Sequence, residues 1–378
     1  MAKIFYSMAG EGRGHATRVR AMVEQLRYEH QIVLFAPDQA YDFLAPRYTG
    51  EIPNVEVRRI PGLRFHYTRG RLDLTKSVWH GLGYLWKLPG LIGQLKRTLR
   101  DERPDLVVAD FEPALPRAAR ACGVPFISLN HQHFLVACDL SSLPFALRQH
   151  ARLMSLAVQA HHRGEISTVV SSFFCAPLRR GFEFVKQVGP LLRPEIRRAV
   201  PTRGDYLLSY LRPNAPANVL DMLRTSDREV RVYGLGERSP DGPLKFFPLG
   251  EQTFVDDLAG CAALVGAAGN QSLGEALYLG KPVLALPEEQ HHEQQINSHF
   301  LAQMGGGDWT SAEQARPATL NRFLSQLDDF RGALAGQAAF LDGTPAALAE
   351  LRRFLPAARP TRRPATPTAH YGAPALAK

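Results

Sequence analysis

The chain has 378 residues and a formal net charge of +9, and 45% of its residues are hydrophobic. This length predicts two domains, and the composition is that of a globular protein without a ~20-residue membrane span or a signal-peptide pattern. Its four cysteines are scattered and lack metal-ligand spacing, which predicts reduced thiols in a cytoplasmic protein.

The first predicted strand, residues 3–7, leads into the glycine-rich loop AGEGRGH and then into a helical apolar pattern. The loop fits the dinucleotide pattern G-x-G-x-x-G poorly, because His15 stands where Gly or Ala is needed. We therefore expect a helix from His15 or Ala16. His15 would then lie at the carboxyl end of the strand, where open α/β sheets bind ligands. A histidine that only caps the helix is the alternative.

Residues 58–103 contain eleven Lys and Arg against three acidic residues, with tryptophans and tyrosines between them. Apolar residues flanked by cations suit the surface of an anionic membrane, and residues 63–97 are our candidate for such contact. A domain helix with a solvated basic face is the alternative.

Two further strands bring polar residues to the edge that carries His15. One is predicted to end at Asp110, and the next is followed by Asn130 and His131. A carboxylate beside an imidazole fixes its tautomer and raises its basicity, so Asp110 is a candidate partner of His15. An aspartate that merely caps the next helix is the alternative.

Residues 188–204 are rich in Pro and Arg and are typical of an interdomain linker. We expect an N-terminal domain over 1–190 and a C-terminal domain over 191–356, whose last helix crosses back onto the first domain. The basic, Pro- and Ala-rich tail, 357–378, is predicted to be disordered. No nucleic-acid-binding motif accompanies the basic charge, so nucleic acid is not an expected partner.

The second half contains a strand–turn–helix–strand pattern with strands at 263–266 and 283–286. We expect Gly269 to leave the first strand at an angle that a side chain would forbid. The helix that follows begins with unpaired N–H groups and the positive end of its dipole, which together bind phosphate. An ordinary βαβ unit without a ligand is the alternative.

Polar side chains surround this turn. Those at the helix start are Asn270, Gln271 and Ser272. Glu275 falls one turn later, on the face of Gln271, and can reach past a phosphate to a sugar hydroxyl. Glu293 and Gln294 begin the next helix and suit another polyhydroxylated group.

The spacing of Gly269, Glu275, Gly280 and the pair Glu293–Gln294 resembles the nucleotide-sugar signature of inverting GT-B glycosyltransferases. Within that group it is similar to the UDP-glycosyltransferases and the lipid-linked peptidoglycan N-acetylglucosaminyltransferase. The resemblance implies an α/β fold of two Rossmann-like, doubly wound parallel-sheet domains that face a cleft.

The resemblance also implies roles for the second-domain residues: the turn holds the diphosphate, Glu275 the ribose, and the acidic-Gln pair the sugar. The implied donor-binding residues are Gly269, Asn270, Gln271, Ser272, Glu275, Glu293 and Gln294. Two positions depart from the family pattern, because Gln271 replaces a smaller residue and His292 replaces an aromatic one.

The loop before His15 resembles the N-terminal loop of the same enzymes. In UDP-glycosyltransferases a histidine there is the catalytic base, which implies that His15 is the base and Asp110 its partner. The implied acceptor-binding residues are Gly12, Arg13, Gly14, Asn130 and His131. In the peptidoglycan enzyme this loop is associated with the acceptor diphosphate, so a phosphate-binding role for His15 stays open.

Together these features predict an inverting, metal-independent hexosyltransferase without a cofactor. Its expected partners are a nucleotide-diphosphate sugar, expected to be UDP-linked, and an acceptor hydroxyl, with a lipid-linked or cell-envelope glycan as one option. Relatives that retain the anomeric configuration carry Glu-x7-Glu ending at the position of Glu275. Here Ala267 replaces the first Glu, which favours inversion. Peripheral attachment to the inner face of the cytoplasmic membrane is one option for its location. A UDP-sugar 2-epimerase and a non-catalytic nucleotide-sugar-binding protein are the alternatives.

Overall fold

Two α/β units follow each other along the chain. The computed structural model describes residues 1–356 except 11–12, 51, 53, 63–66, 69–70, 73 and 162, and it describes no side chains within 63–82 or 160–162. Gly12 and the predicted tail at 357–378 therefore lie outside the described residues, and so do the side chains in the first half of the predicted membrane segment.

The first unit is built on a parallel sheet, as expected for short apolar runs separated by helices. The strands of this half are β1 (Lys3–Met8), β2 (Gln31–Ala36), β3 (Val55–Arg59), β4 (Tyr67–Thr68), β5 (Arg71–Leu72), β6 (Leu106–Asp110), β7 (Phe126–Asn130), β8 (Ser167–Ser171) and β9 (Lys186–Val188). β4 and β5 form a separate hairpin, and the others pair in parallel in the order β3-β2-β1-β6-β7-β8-β9. The order reverses between β1 and β6, which opens a crevice at their carboxyl ends.

Helices cover both faces of this sheet. They are α1 (Arg13–Leu26), α2 (Asp38–Leu44), α3 (Leu74–Glu102), α4 (Ala114–Cys122), α5 (Phe134–Ala137) and α6 (Phe145–His161), with a 3₁₀ turn at Ala45–Arg47. Because side chains alternate along a strand, Ile4 and Tyr6 pack with α1, whereas Phe5 packs with α3 and α4. No described helix combines the length and apolarity needed to cross a membrane.

The second unit repeats this design. Its strands are β10 (Tyr206–Tyr210), β11 (Glu229–Tyr233), β12 (Leu244–Phe247), β13 (Ala263–Gly266), β14 (Val283–Ala285) and β15 (Gly307–Trp309). They pair in parallel in the order β12-β11-β10-β13-β14-β15. The helices are α7 (Pro194–Arg198), α8 (Ala217–Arg224), α9 (Glu251–Gly260), α10 (Asn270–Tyr278), α11 (His292–Gln303), α12 (Pro317–Ser325), α13 (Leu327–Leu334) and α14 (Thr344–Arg352), with a 3₁₀ turn at Ala312–Gln314.

The last helix returns to the first unit. Ala347 and Leu351 of α14 belong to the same buried cluster as Ile4 and Leu26. The predicted crossing-back of this helix is therefore confirmed. The domain boundary at residue 190 stays a prediction.

The two units also share apolar packing near the carboxyl edges of their sheets. Phe174, which follows β8, stacks on Phe300 of α11 with ring centroids 3.9 Å apart. Phe173 and Leu273 of α10 lie in the same buried cluster. The predicted architecture of two facing parallel-sheet units is thus confirmed, and their facing edges are in direct contact.

Candidate active site

His15 and Asp110 lie side by side at the carboxyl edge of the first sheet. Asp110 ends β6 and is completely buried, because β6 is an apolar strand inside the sheet. His15 lies in the first turn of α1, which begins at Arg13, two or three residues earlier than the sequence pattern predicts. Its Nδ1 atom is 3.0 Å from Oδ1 of Asp110. The structure therefore brings together the predicted base and its predicted partner.

A third side chain, Arg18, belongs to this group and was missed from the sequence. Its Nε and Nη2 atoms donate to the carboxylate of Asp110 at 3.0 and 2.7 Å, and Nη2 is 2.9 Å from Nδ1 of His15. Burial alone would raise the pKa of Asp110, but Arg18 and His15 lower it to about 2, so the carboxylate is ionised at neutral pH. The available signal was a basic residue three positions after His15, on the same helix face.

The second unit contributes Glu293, at the start of α11, to the opposite side of this group. Gln132 donates to its Oε2 at 3.4 Å, and its Oε1 is 4.0 Å from Nε2 of His131. Burial opposes ionisation of Glu293, but the nearby His131 and His15, together with other basic side chains, lower its pKa. An anionic residue predicted to contact the donor sugar thus lies within electrostatic reach of His15.

The glycine turn after β13 connects strand and helix as predicted, but the expected reason for Gly269 is wrong. Its φ of −75° and ψ of 135° are extended values that any residue adopts. A Cβ atom there would instead lie only 3.3 Å from Oγ of Ser272. The glycine therefore makes room for Ser272, whose hydroxyl donates to the Gly269 carbonyl at 3.1 Å.

The amide side chains at the start of α10 join the two units. Nδ2 of Asn270 donates to the Ser171 carbonyl at 3.2 Å, and its Oδ1 accepts from the Phe173 N–H at 3.2 Å. Nε2 of Gln271 donates to the Leu191 carbonyl at 2.9 Å. Both side chains are buried, so in this arrangement they hold the units together and do not face an open cleft.

Glu275 is paired with a buried arginine. Its two oxygens accept from Nε and Nη2 of Arg193 at 3.0 and 2.8 Å, and the residue is 3% exposed. Arg193 lies in the predicted linker and also pairs with Glu251 at 3.2 Å. Glu251 forms further ion pairs with Arg20 and Arg47 of the first unit. The predicted ribose hydroxyl would therefore have to share the carboxylate of Glu275 with Arg193 or displace Arg193.

Gln294 contributes to local structure at the start of α11. Its Oε1 accepts from the Glu288 N–H at 3.1 Å, and its own N–H donates to Nδ1 of His291, which caps the helix. The residue is 3% exposed. Only Glu293 of the predicted sugar-binding pair is therefore partly exposed here.

Among the predicted acceptor residues, Arg13 has the most open position. Its guanidinium lies 5.8 Å from the ring centroid of Phe43, beside a cavity of about 670 Å³ that Arg47 also lines. Gly14 faces Gln271, and a Cβ atom added at Gly14 would lie 3.9 Å from Cβ of Gln271, an ordinary van der Waals distance. This edge of α1 therefore offers both space and positive charge.

Asn130 and His131 are completely buried. Nδ2 of Asn130 donates to Oγ of Ser128 at 2.9 Å. Nδ1 and Nε2 of His131 are each 3.2 Å from an oxygen, of Ser171 and of Asn297 respectively, and burial lowers the pKa of His131 to about 4. Contact of either side chain with an acceptor would require the two units to separate.

The fold and the site together define a class. Two Rossmann-like sheets face each other by their carboxyl edges, as in GT-B glycosyltransferases. The pair of His15 and Asp110 lies on the edge that faces the glycine turn. A family model described as glycosyl transferase family 1 matches residues 2–328. The chain belongs to this family and is a glycosyltransferase. No curated protein sequence matches it.

Solved structures show the same fold. A UDP-glucosyltransferase from Polygonum tinctorium is 14% identical with a TM-score of 0.67 over 93% of this chain and 98% of that one. Arabidopsis thaliana UGT89C1 in complex with UDP is 16% identical with a TM-score of 0.66 over 94% and 100%. MurG from Acinetobacter baumannii is 15% identical with a TM-score of 0.58 over 93% and 100%.

Proposed function

We propose that this enzyme transfers a hexose from a UDP-sugar to an acceptor hydroxyl, with inversion and without a bound metal. The observation that carries the proposal is the 3.0 Å contact between His15 and ionised Asp110, on the edge that faces Glu293. An imidazole held by a carboxylate is suited to general-base catalysis. Ala267, in place of the first Glu of the retaining pattern, supports inversion.

In the proposed reaction, Nε2 of His15 removes the proton of the acceptor hydroxyl. The acceptor oxygen attacks the anomeric carbon from the face opposite the leaving nucleoside diphosphate. The N–H groups and dipole at the start of α10 stabilise the charge that develops on this leaving group. Glu293 contacts hydroxyls of the transferred sugar from the second unit.

Donor entry requires the two units to separate at the glycine turn, because the side chains of Asn270 and Gln271 are bonded across it. Hinge motion between domains is a common route to such opening. A carboxylate has about four acceptor sites, so Glu275 can retain Arg193 and still accept a ribose hydroxyl once the cleft opens.

A lipid-linked acceptor is part of the proposal. On α3, Trp86 is 88% exposed and Leu85 58% exposed, and both precede Lys87. Exposed apolar side chains beside a cation suit a membrane interface. The proposal therefore includes peripheral attachment of a cytoplasmic enzyme to the membrane that carries its acceptor.

The proposal is tested first by a thermal-shift screen of the purified protein with UDP-, GDP-, dTDP- and CMP-sugars. A donor at 100 times its dissociation constant stabilises by about 2.7 kcal/mol, and the UDP-sugars should give this shift. NMR of the anomeric proton then follows turnover, and the product should be inverted. A retained configuration would contradict the mechanism. Donor isomerisation without an acceptor would indicate an epimerase, and binding without turnover a non-catalytic sensor.

A further inference from the structure

Arg18, Asp110 and His15 place three polar atoms in a nearly equilateral triangle. Nη2 of Arg18 is 2.7 Å from Oδ1 of Asp110 and 2.9 Å from Nδ1 of His15, and Nδ1 is 3.0 Å from Oδ1. The directions from Nη2 to its two neighbours therefore differ by about 60°, whereas the two N–H bonds on a planar guanidinium nitrogen diverge by about 120°. Nη2 therefore cannot aim one N–H straight at each neighbour, so a better bond to one weakens the bond to the other.

The fork between Arg18 and Asp110 decides where those N–H bonds point. Nε donates to Oδ2 at 3.0 Å and Nη2 to Oδ1 at 2.7 Å, which is the strong bidentate arrangement of arginine and carboxylate. The second N–H of Nη2 then meets Nδ1 of His15 at a less favourable angle, although the two nitrogens are 2.9 Å apart. A carboxylate oxygen can only accept, so the 3.0 Å contact of Nδ1 with Oδ1 is a hydrogen bond when the proton lies on Nδ1, and the charge of the carboxylate favours that tautomer.

We propose that Arg18 is a positioning residue for sugar transfer. Its fork orients the carboxylate of Asp110 so that His15 adopts the tautomer with its proton on Nδ1 and a lone pair on Nε2. The consequence for catalysis rests on the proposed function, because only a base needs that lone pair. Arg18 also has an opposing effect, since its charge beside the imidazole offsets part of the stabilisation that Asp110 gives to the imidazolium.

The other ionisable groups that face this triangle keep one charge state near neutral pH. Burial raises the pKa of Tyr6, on β1, well above its usual range and lowers that of His131, after β7, to about 4. Both are therefore neutral, while Glu293 of α11 and Asp110 are anionic because their pKa values are lowered. These described neighbours therefore do not change charge near neutral pH, so a change at His15 in an Arg18 variant can be attributed to Arg18.

The first test is a long-range ¹H–¹⁵N correlation spectrum of the wild-type protein labelled at histidine, with the His15 signals assigned by their loss in His15→Gln. At a pH where the ring is neutral, we expect the proton on Nδ1 and an unprotonated Nε2. A proton on Nε2 would overturn the proposal. No substrate is needed, so this result is independent of whether sugar transfer is the activity.

Two variants separate the two effects of Arg18. Arg18→Gln removes both the fork and the charge, and it should give mixed tautomers and a roughly 10- to 100-fold lower kcat with little change in donor KM. The acid limb of its rate profile should move to higher pH, because the imidazolium is no longer opposed by a cation. Arg18→Lys keeps the charge without the fork, so its limb should stay near the wild-type position while the tautomers mix.

A purely structural role for Arg18 would lower the melting temperature without changing the tautomer or the acid limb, and that outcome would overturn the proposal. If Arg18→Gln does not fold, the wild-type spectrum and Arg18→Lys still decide it. If His15 in Arg18→Lys keeps the same single tautomer as in the wild type, the fork does not set the tautomer, and the proposal is overturned as well.

Discussion

The two facing edges of this enzyme use their polar side chains differently. At the first sheet, His15 contacts Asp110 through Nδ1, and no hydrogen bond from its Nε2 to another described residue is found. At the second sheet, Asn270, Gln271 and Glu275 are all bonded to protein groups from the first unit or the linker. Under the proposed function, His15 and Asp110 already have the contact that a base needs, whereas the proposed donor residues would have to exchange protein contacts for donor contacts.

This difference suggests a division of labour. Pairing donor-site side chains with protein groups avoids leaving them buried without partners when no ligand is bound, which costs about 1–3 kcal/mol for each neutral group. Under the proposed function, donor binding then replaces one set of hydrogen bonds by another. Variants at the first edge should accordingly affect turnover, and variants at the second edge should affect stability and affinity.

The largest effect is expected at His15. General-base catalysis contributes about 10²–10⁴-fold in rate, so His15→Ala should lose that much turnover in a steady-state assay of nucleoside diphosphate release. Asp110→Asn should lower turnover in the same direction. The double variant should be little slower than His15→Ala, because the two residues act as one unit. Near-normal turnover in His15→Ala would rule out the base assignment.

At the second edge, the largest effect is expected from Arg193→Met. It leaves Glu275 as an uncompensated buried charge, and breaking a buried pair destabilises by about 3–5 kcal/mol, measurable by urea unfolding. Adding Glu275→Gln should restore part of the loss. Arg197→Met is the matched control, since its pair with Asp342 is partly exposed to solvent and should contribute only about 0–1 kcal/mol. Equal losses in the two single variants would contradict the buried-pair account.

Some features of the two edges could be predicted from the sequence and others could not. The strands that end at Asp110 and Gly266 were predictable, because apolar runs and turn residues are local signals. The meeting of His15 with Asp110 was predictable from topology, since both follow the carboxyl ends of parallel strands.

The partners of the donor residues were not predictable, because sequence spacing does not show which distant side chain will face them. Arg193 is 82 positions from Glu275. The same limit applies at the first edge, where Arg18 is 92 positions from Asp110. Gly269 shows another limit: its presence indicated a turn correctly, but the reason was space for Ser272 and not an unusual backbone angle.

Acid should weaken the contact between the edges through His131. Its pKa is about 4 in the folded protein because of burial, against about 6.5 when unfolded, so the unfolded chain binds the proton first. Stability from this residue is full above pH 6.5 and falls by about 3 kcal/mol as the pH drops toward 4. His131→Asn should lose this part of the pH dependence in urea unfolding, and His291→Asn should keep it. Identical slopes in wild type and His131→Asn would contradict the assignment.

The smallest effect is expected at the proposed membrane surface. Full burial of a large apolar side chain contributes about 1.5–3 kcal/mol, and shallow insertion of Trp86 less, so Trp86→Ser should reduce co-sedimentation with anionic vesicles only a few-fold. High salt should reduce it further. Phe184→Ser, an exposed aromatic residue outside α3, serves as the control. A wild-type protein that never pellets with anionic vesicles would remove the membrane proposal.

The most direct test of the division between the edges is calorimetric titration of one UDP-sugar into His15→Ala and Glu275→Gln. We predict wild-type affinity for His15→Ala, because its role is confined to the chemical step. For Glu275→Gln we predict affinity weaker by roughly 1.5–3 kcal/mol, the value of a hydrogen bond to a charged group. Lost affinity in His15→Ala together with unchanged affinity in Glu275→Gln would contradict the account.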